Sequence, residues 1–312
     1  MKKYVVSAVA VLSLVSASLA FACTEDGQHG IAPDNNLYIP DSAFGAFPVT
    51  EAQFNNSIAR ATKIYEPIFA AQGRTYKVIP KWSDGTVNAF ADRAGTVSQV
   101  HMFGGLARHP NMSPDGFELV ICHETGHHLG GAPKIKSIFG KISWASNEGE
   151  ADYYATLKCA RMMWANDDNE AIVAKMTIPQ SITERCQKSF DKANDLSICK
   201  RAAIAGKDLG DTLAALGKTA ETDFDKPDTN VVTKMVDAHP AAQCRLDTYI
   251  AGSFCAKAIT DVLSDTDSTA GTCSEEKGES LGIRPTCWYK VQDRNAPPKS
   301  GSSWPSGKIT RR

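Results

Sequence analysis

The sequence predicts an α+β fold, mainly helical, with a small sheet beside one buried helix and several disulfide cross-links. Three observations carry this. Apolar residues recur at helical spacing over most of the chain. Alternating, strand-like stretches are confined to residues 76–103. Nine cysteines follow an N-terminal export segment, and an exported chain with so many is expected to cross-link them.

The 312 residues suffice for one large domain or two small ones with a sizeable core. Charge is balanced, at 34 basic against 35 acidic residues. No basic stripe argues for a nucleic-acid partner and no acidic block for a charged tail.

Residues 1–22 read as a signal peptide. Lys2-Lys3 is its charged start, Val5–Val15 its apolar stretch, and Ala20-Phe21-Ala22 a small-x-small cleavage site. Serines interrupt the apolar stretch and it is short for a span, which favours export over anchorage. The destination is a bacterial periplasm, the outer-membrane surface or the medium. Cys23 follows directly. In a second reading it carries a lipid and gives the chain its one contact with a membrane, although Ala20 and Phe21 fit a lipoprotein site poorly. The eight later cysteines would make four bridges, among 105 pairings. A Cys122–Cys159 bridge would tie together two helices described below.

Residues 23–50, rich in Gly, Pro, Asp and Asn, read as an extended lead-in. The main domain is expected over residues 51–257. Ala52–Ala71 predicts a helix, stopped by Gly73. Tyr76–Trp82, Val87–Ala91 and Val97–Phe103 predict strands. Val87–Ala91, with Asn88, Ala89 and Phe90, reads either as an edge strand able to pair with an extended substrate or as a core strand. Ser113-Pro114-Asp115 supplies the cap, proline and acid that open a helix, and Gly130-Gly131 ends it. A further helix is expected over Asn147–Asn166, mostly helical chain over Ala171–Gly217 with a break at Pro179, an acidic loop over Glu221–Asp228, and a helix opened by His239-Pro240. A cysteine-rich extension (258–293) and a disordered tail (294–312) complete the chain.

The helix after Ser113 carries the chemistry. His123-Glu124-Thr125-Gly126-His127 reads HExxH. Residues four apart share a helix face, so His123 and His127 can hold one zinc ion per chain. Glu124 then lies where it can take a proton from a water on the metal. A third ligand is required. The pattern HExxHxxGxxH fails, because Pro133 stands at its last position and cannot bind metal. Glu148 and Asp152 share a face of the next helix: Glu148 completes a His/His/Glu set, and Asp152 can hold the far nitrogen of His123. Glu150 points away from that face and ranks second as a ligand. His128 lies off the ligand face and reads as a packing residue.

Several stretches together resemble the HtpX and CAAX-prenyl-protease type of gluzincin metallopeptidase, a family that includes soluble members of the bacterial envelope. They are Asn88-Ala89-Phe90 with Gly105-Leu106; HExxH with Glu148-Gly149-Glu150-Ala151-Asp152 (ExxAD); and His239-Pro240 with Arg245 (HPxxxxR). The resemblance covers residues 85–250 and implies a zincin-like catalytic domain. It also implies that Glu148 is the third ligand and that His239 and Arg245 stabilise the oxyanion formed during peptide hydrolysis. The expected activity is zinc-dependent endopeptidase, with Glu124 as general base and a polypeptide as substrate. The alternative is an envelope assembly or quality-control factor that binds client proteins, its proteolysis latent or gated by His239. The missing membrane spans and the many cysteines depart from the family and leave the substrate open.

Overall fold

In the computed structural model residues 30–43, 48–136 and 140–291 are described. The expected signal peptide, Cys23 and the expected tail from Arg294 lie outside the described residues.

Thr50 opens the first helix, α1 (Glu51–Ala70), through a reciprocal capping box with Gln53. Its buried stripe, Phe54, Ile58, Ala61, Tyr65 and Phe69, keeps the spacing that predicts it. Strands β1 (Thr75–Lys81), β2 (Ala89–Ala94) and β3 (Val97–Phe103) follow. β3 is central, parallel to β1 and antiparallel to β2, so β2 is an edge. The strand expected at Val87–Ala91 begins two residues later and runs three further. The short helix α2 (Gly104–Ala107) then turns the chain toward α3 (Pro114–Leu129).

Ser113 caps α3 by accepting from the Gly116 amide, and a proline occupies its first turn. Every α3 residue from Gly116 to His128 is buried. A helix buried all round needs neighbours on all sides, and α1, β2, β3 and the helices below supply them. Two short strands, β4 (Lys134–Lys136) and β5 (Ile142–Ser146), form an antiparallel pair that leads into the next helix.

That helix, expected over Asn147–Asn166, is three pieces: α4 (Glu148–Tyr154), a π-helical turn (Ala155–Cys159) and α5 (Ala160–Met163). The π turn inserts a residue and re-aims the helix, a feature with no signal in local propensity. Helices α6 (Asn169–Val173), α7 (Gln180–Ser189) and α8 (Ala193–Leu216) fill the region expected to be helical. The last helix, α9 (Ala242–Phe254), begins after Pro240 and not with it. The proline therefore lies in the approach to α9, which corrects its expected place in the first turn. α9 packs on α4 and α8, and both of those pack on α3.

Four disulfides join Cys122–Cys159, Cys186–Cys199, Cys244–Cys287 and Cys255–Cys273. The first ties α3 to the π turn, as anticipated. The cysteine-rich extension is laced into the body of the protein. Trp288 is fully buried and lies over Gly149, where a Cβ would approach its ring to 2.2 Å. Arg284 forms a bidentate pair with Glu150 at 2.6 and 2.7 Å. The four bridges place the chain in an oxidising, non-cytoplasmic setting. No helix among the described residues is long and apolar enough to cross a membrane.

Candidate metal centre

α3 presents His123 and His127 on one face, one turn apart, and the start of α4 brings Glu148 against them. Asn147 fixes that start: its side chain accepts from the Glu150 amide and donates to the Val236 carbonyl. His123 Nδ1 donates to Asp152 at 2.7 Å, and His127 Nδ1 donates to the Ser146 carbonyl at 2.8 Å. Both rings are thereby oriented with Nε2 turned to a common point.

The spacing there suits a metal ion. The two Nε2 atoms stand 3.1 Å apart, and Glu148 lies 3.3 Å from His123 Nε2 and 3.8 Å from His127 Nε2. Ligand atoms about 2.0–2.1 Å from one tetrahedral ion would stand about 3.3–3.4 Å from each other. His123, His127 and Glu148 thus form a set able to hold a metal ion, all three buried. Two imidazoles and one carboxylate suit a borderline cation and leave a fourth position for solvent.

The electrostatics fit as well. Burial opposes a charge on His123, but Asp152 and Glu148 overcome it and push its pKa up to about 9. Burial lowers His127 to about 4. Glu148 is held well below the usual carboxylate range: its burial is outweighed by His239, His127 and His123. An ionised carboxylate and a neutral imidazole are ligand-ready, and a divalent ion would take the place of the His123 proton. Burial raises Glu124 to about 8, and neither of its oxygens has a hydrogen-bond partner among the described residues. A buried carboxylate without a donor is costly, and its place beside the ligand set gives it a use.

Asp152 is the hub behind the ligands. It accepts from His123, from Arg245 Nε and Nη2 (both 2.7 Å) and from the Tyr249 hydroxyl (2.5 Å). Tyr249 was not anticipated; its only sequence signal is its place four residues after Arg245 on α9. Arg245 was expected to face an oxyanion. The structure commits its Nε and Nη2 to Asp152 and directs Nη1 at the Ile31 carbonyl. His239 does reach the centre, with Nε2 3.4 Å from Glu148 and donating to the Gly30 carbonyl at 2.7 Å. Glu150 pairs with Arg284 and takes no part. His128 stacks on Trp144 and donates to the Gln99 carbonyl, a packing role.

β2 carries Ala89 and Phe90, with Asn88 just before it, and its outer edge borders the centre. The lead-in meets the start of that edge and runs antiparallel to the residues just before it, with the Ile31 amide on Ala89 O and the Ile39 amide on Gly85 O. Phe90 stacks on His101 within the sheet and does not join the site. Searched against known proteins, the chain matches no family model, no curated protein and no solved structure.

Proposed function

We propose that the chain is an exported zinc-dependent endopeptidase. The observation that carries this is the convergence of a three-ligand set, an unpartnered buried glutamate and a histidine that donates to a peptide carbonyl beside them. His123, His127 and Glu148 hold the ion. When bound, zinc lowers the pKa of a water to about 7 and polarises a carbonyl.

The remaining work falls to side chains. Glu124 accepts a proton from the attacking water and returns it to the leaving amine. His239 donates to the carbonyl oxygen where negative charge develops. Arg245 holds Asp152 against His123 and so orients that ligand, while its Nη1, which bonds the Ile31 carbonyl in the resting chain, takes the corresponding carbonyl of a substrate. The edge of β2 binds substrate main chain, leaving side-chain selection to the pockets beside it. The HExxH/ExxAD/HPxxxxR resemblance supports the same assignment.

A second reading, a client-binding envelope factor with latent proteolysis, is favoured by one observation: the lead-in occupies the start of the β2 edge and the His239 side chain beside the centre. Zinc content and casein cleavage of the wild type and Glu124→Gln test both. One zinc in each, with cleavage by the wild type alone, supports the enzyme. One zinc in each and cleavage by neither supports the latent factor. No zinc in folded, oxidised protein sinks both.

A further inference from the structure

The lead-in does more than meet the start of β2. Every main-chain polar group from the Gly30 carbonyl to the Ala32 carbonyl is met by a residue of the centre or of the strand beside it. His239 Nε2 donates to Gly30 O at 2.7 Å. The Ile31 amide donates to Ala89 O at 2.8 Å, and Ile31 O accepts from Arg245 Nη1. The Asn88 side chain accepts from the Ala32 amide at 3.2 Å and donates to Ala32 O at 3.1 Å.

A strap that only packed would need its side chains buried. It would not need five consecutive main-chain groups read by four residues drawn from α9, its approach and the β2 edge. Main-chain recognition of this kind is how an edge strand and its neighbours bind an extended peptide. The side chains add a register. A Cβ on residue 30 would stand 1.4 Å from Ala89 O, so only glycine fits there. Ile31 is fully buried next to it. The carbonyl that meets His239, the group 3.4 Å from the ligand Glu148, is that of Gly30.

We propose that Gly30–Ala32 is a substrate tethered in its own site, and that the chain matures by hydrolysing its Gly30–Ile31 bond. This rests on the zinc-peptidase reading above. Water adds to the Gly30 carbonyl carbon and gives a proton to Glu124. The bond from that carbon to the Ile31 nitrogen breaks, and Glu124 passes the proton to that nitrogen. One water is consumed, and the products are a Gly30 carboxylate and an Ile31 ammonium, the second proton passing from the new carboxyl group to the amine. Other substrates of the same site are then extended peptides with glycine before the cut and a branched aliphatic residue after it. A cavity of about 290 Å³ lined by Pro33, Asp34, Asn35, His239 and Arg245 opens beside the segment.

The test uses the full chain, exported and zinc-loaded, as wild type, Glu124→Gln and Ile31→Asp. Intact mass and N-terminal sequencing of the wild type should give a chain beginning Ile-Ala-Pro-Asp. Glu124→Gln should keep residue 30 joined to residue 31. In Glu124→Gln the Ile31 amide should exchange with deuterium about 100-fold more slowly than an exposed amide, a readout that needs no turnover. Ile31→Asp should slow processing roughly tenfold or more. Zinc is measured on every sample. Absent zinc overturns the peptidase reading. Bound zinc with a cut elsewhere, with no cut, or with a freely exchanging Ile31 amide leaves the metal reading standing and overturns the tethered substrate.

Discussion

Asp152→Asn separates the two tasks of the hub behind the ligands. The wild-type carboxylate accepts four hydrogen bonds: one from His123, two from Arg245 and one from Tyr249. The amide keeps the shape, offers one oxygen and turns an NH2 toward donors. Arg245, 2% exposed, loses its counter-charge. Breaking a buried pair in this way costs about 3–5 kcal/mol. At about 2–4 °C per kcal/mol for a large domain, melting should fall by roughly 6–20 °C. His123 also loses the acceptor that fixes its ring, which should weaken zinc binding about 10–100-fold, or about 1.4–2.7 kcal/mol. Glu150→Gln is the control. Glu150 lies on the same helix and forms an equally buried bidentate pair with Arg284, but touches no ligand. It should lose comparable stability and keep its zinc affinity within about 0.5 kcal/mol. Melting of the metal-free proteins and zinc titration against a chelator measure both quantities. Unchanged zinc affinity in Asp152→Asn, or an equal loss in Glu150→Gln, would refute the argument that the carboxylate acts through His123.

Three further outcomes are expected. His123 holds its proton up to about pH 9 in the metal-free chain because Asp152 and Glu148 outweigh its burial, so zinc must displace that proton; affinity should rise about tenfold per pH unit from 6 to 8, and calorimetry in buffers of different ionisation heat should detect about one proton released. Gly149→Ala sets a methyl against the Trp288 ring, and such overpacking costs about 1–3 kcal/mol; denaturant titration should show it, and an unchanged midpoint would mean that Trp288 does not press on α4. Replacing Cys122 and Cys159 together by alanine opens a loop spanning 37 residues, worth about 4 kcal/mol of chain entropy, which a shift of the denaturation midpoint measures.

The parts of the site that lie close along the chain were legible. The helical repeat places His123 beside His127 and Glu148 on the face of Asp152, and the caps at Ser113 and Gly130 bound α3 to the residue. The Cys122–Cys159 bridge could be named, but not chosen, because spacing does not rank pairings. What depends on distant chain was hidden. No local pattern says that Gly30 meets His239, 209 positions away, or that Arg284 neutralises Glu150, 134 positions away. The role of Arg245 needed the resemblance, and even then its main partner, Asp152, and the helper Tyr249 emerged only from the packing of α9 on α4. Two departures have local causes. The π turn after Tyr154 is an inserted residue without a propensity signature, and Pro240, expected inside α9, shapes the approach to it.

The lacing of the extension onto α4 bears on when the centre comes into being. Glu150 and Gly149, next to the candidate ligand Glu148, are covered by Arg284 and Trp288, near the end of the described chain. α9, which carries Arg245, is bonded to that same end through Cys244–Cys287. A chain threading across a membrane from its N-terminus would have exposed the HExxH helix long before those residues followed. Contacts of such sequence separation form late. The candidate metal centre is therefore completed only once nearly all of the described chain is present and its cysteines have met oxidising conditions.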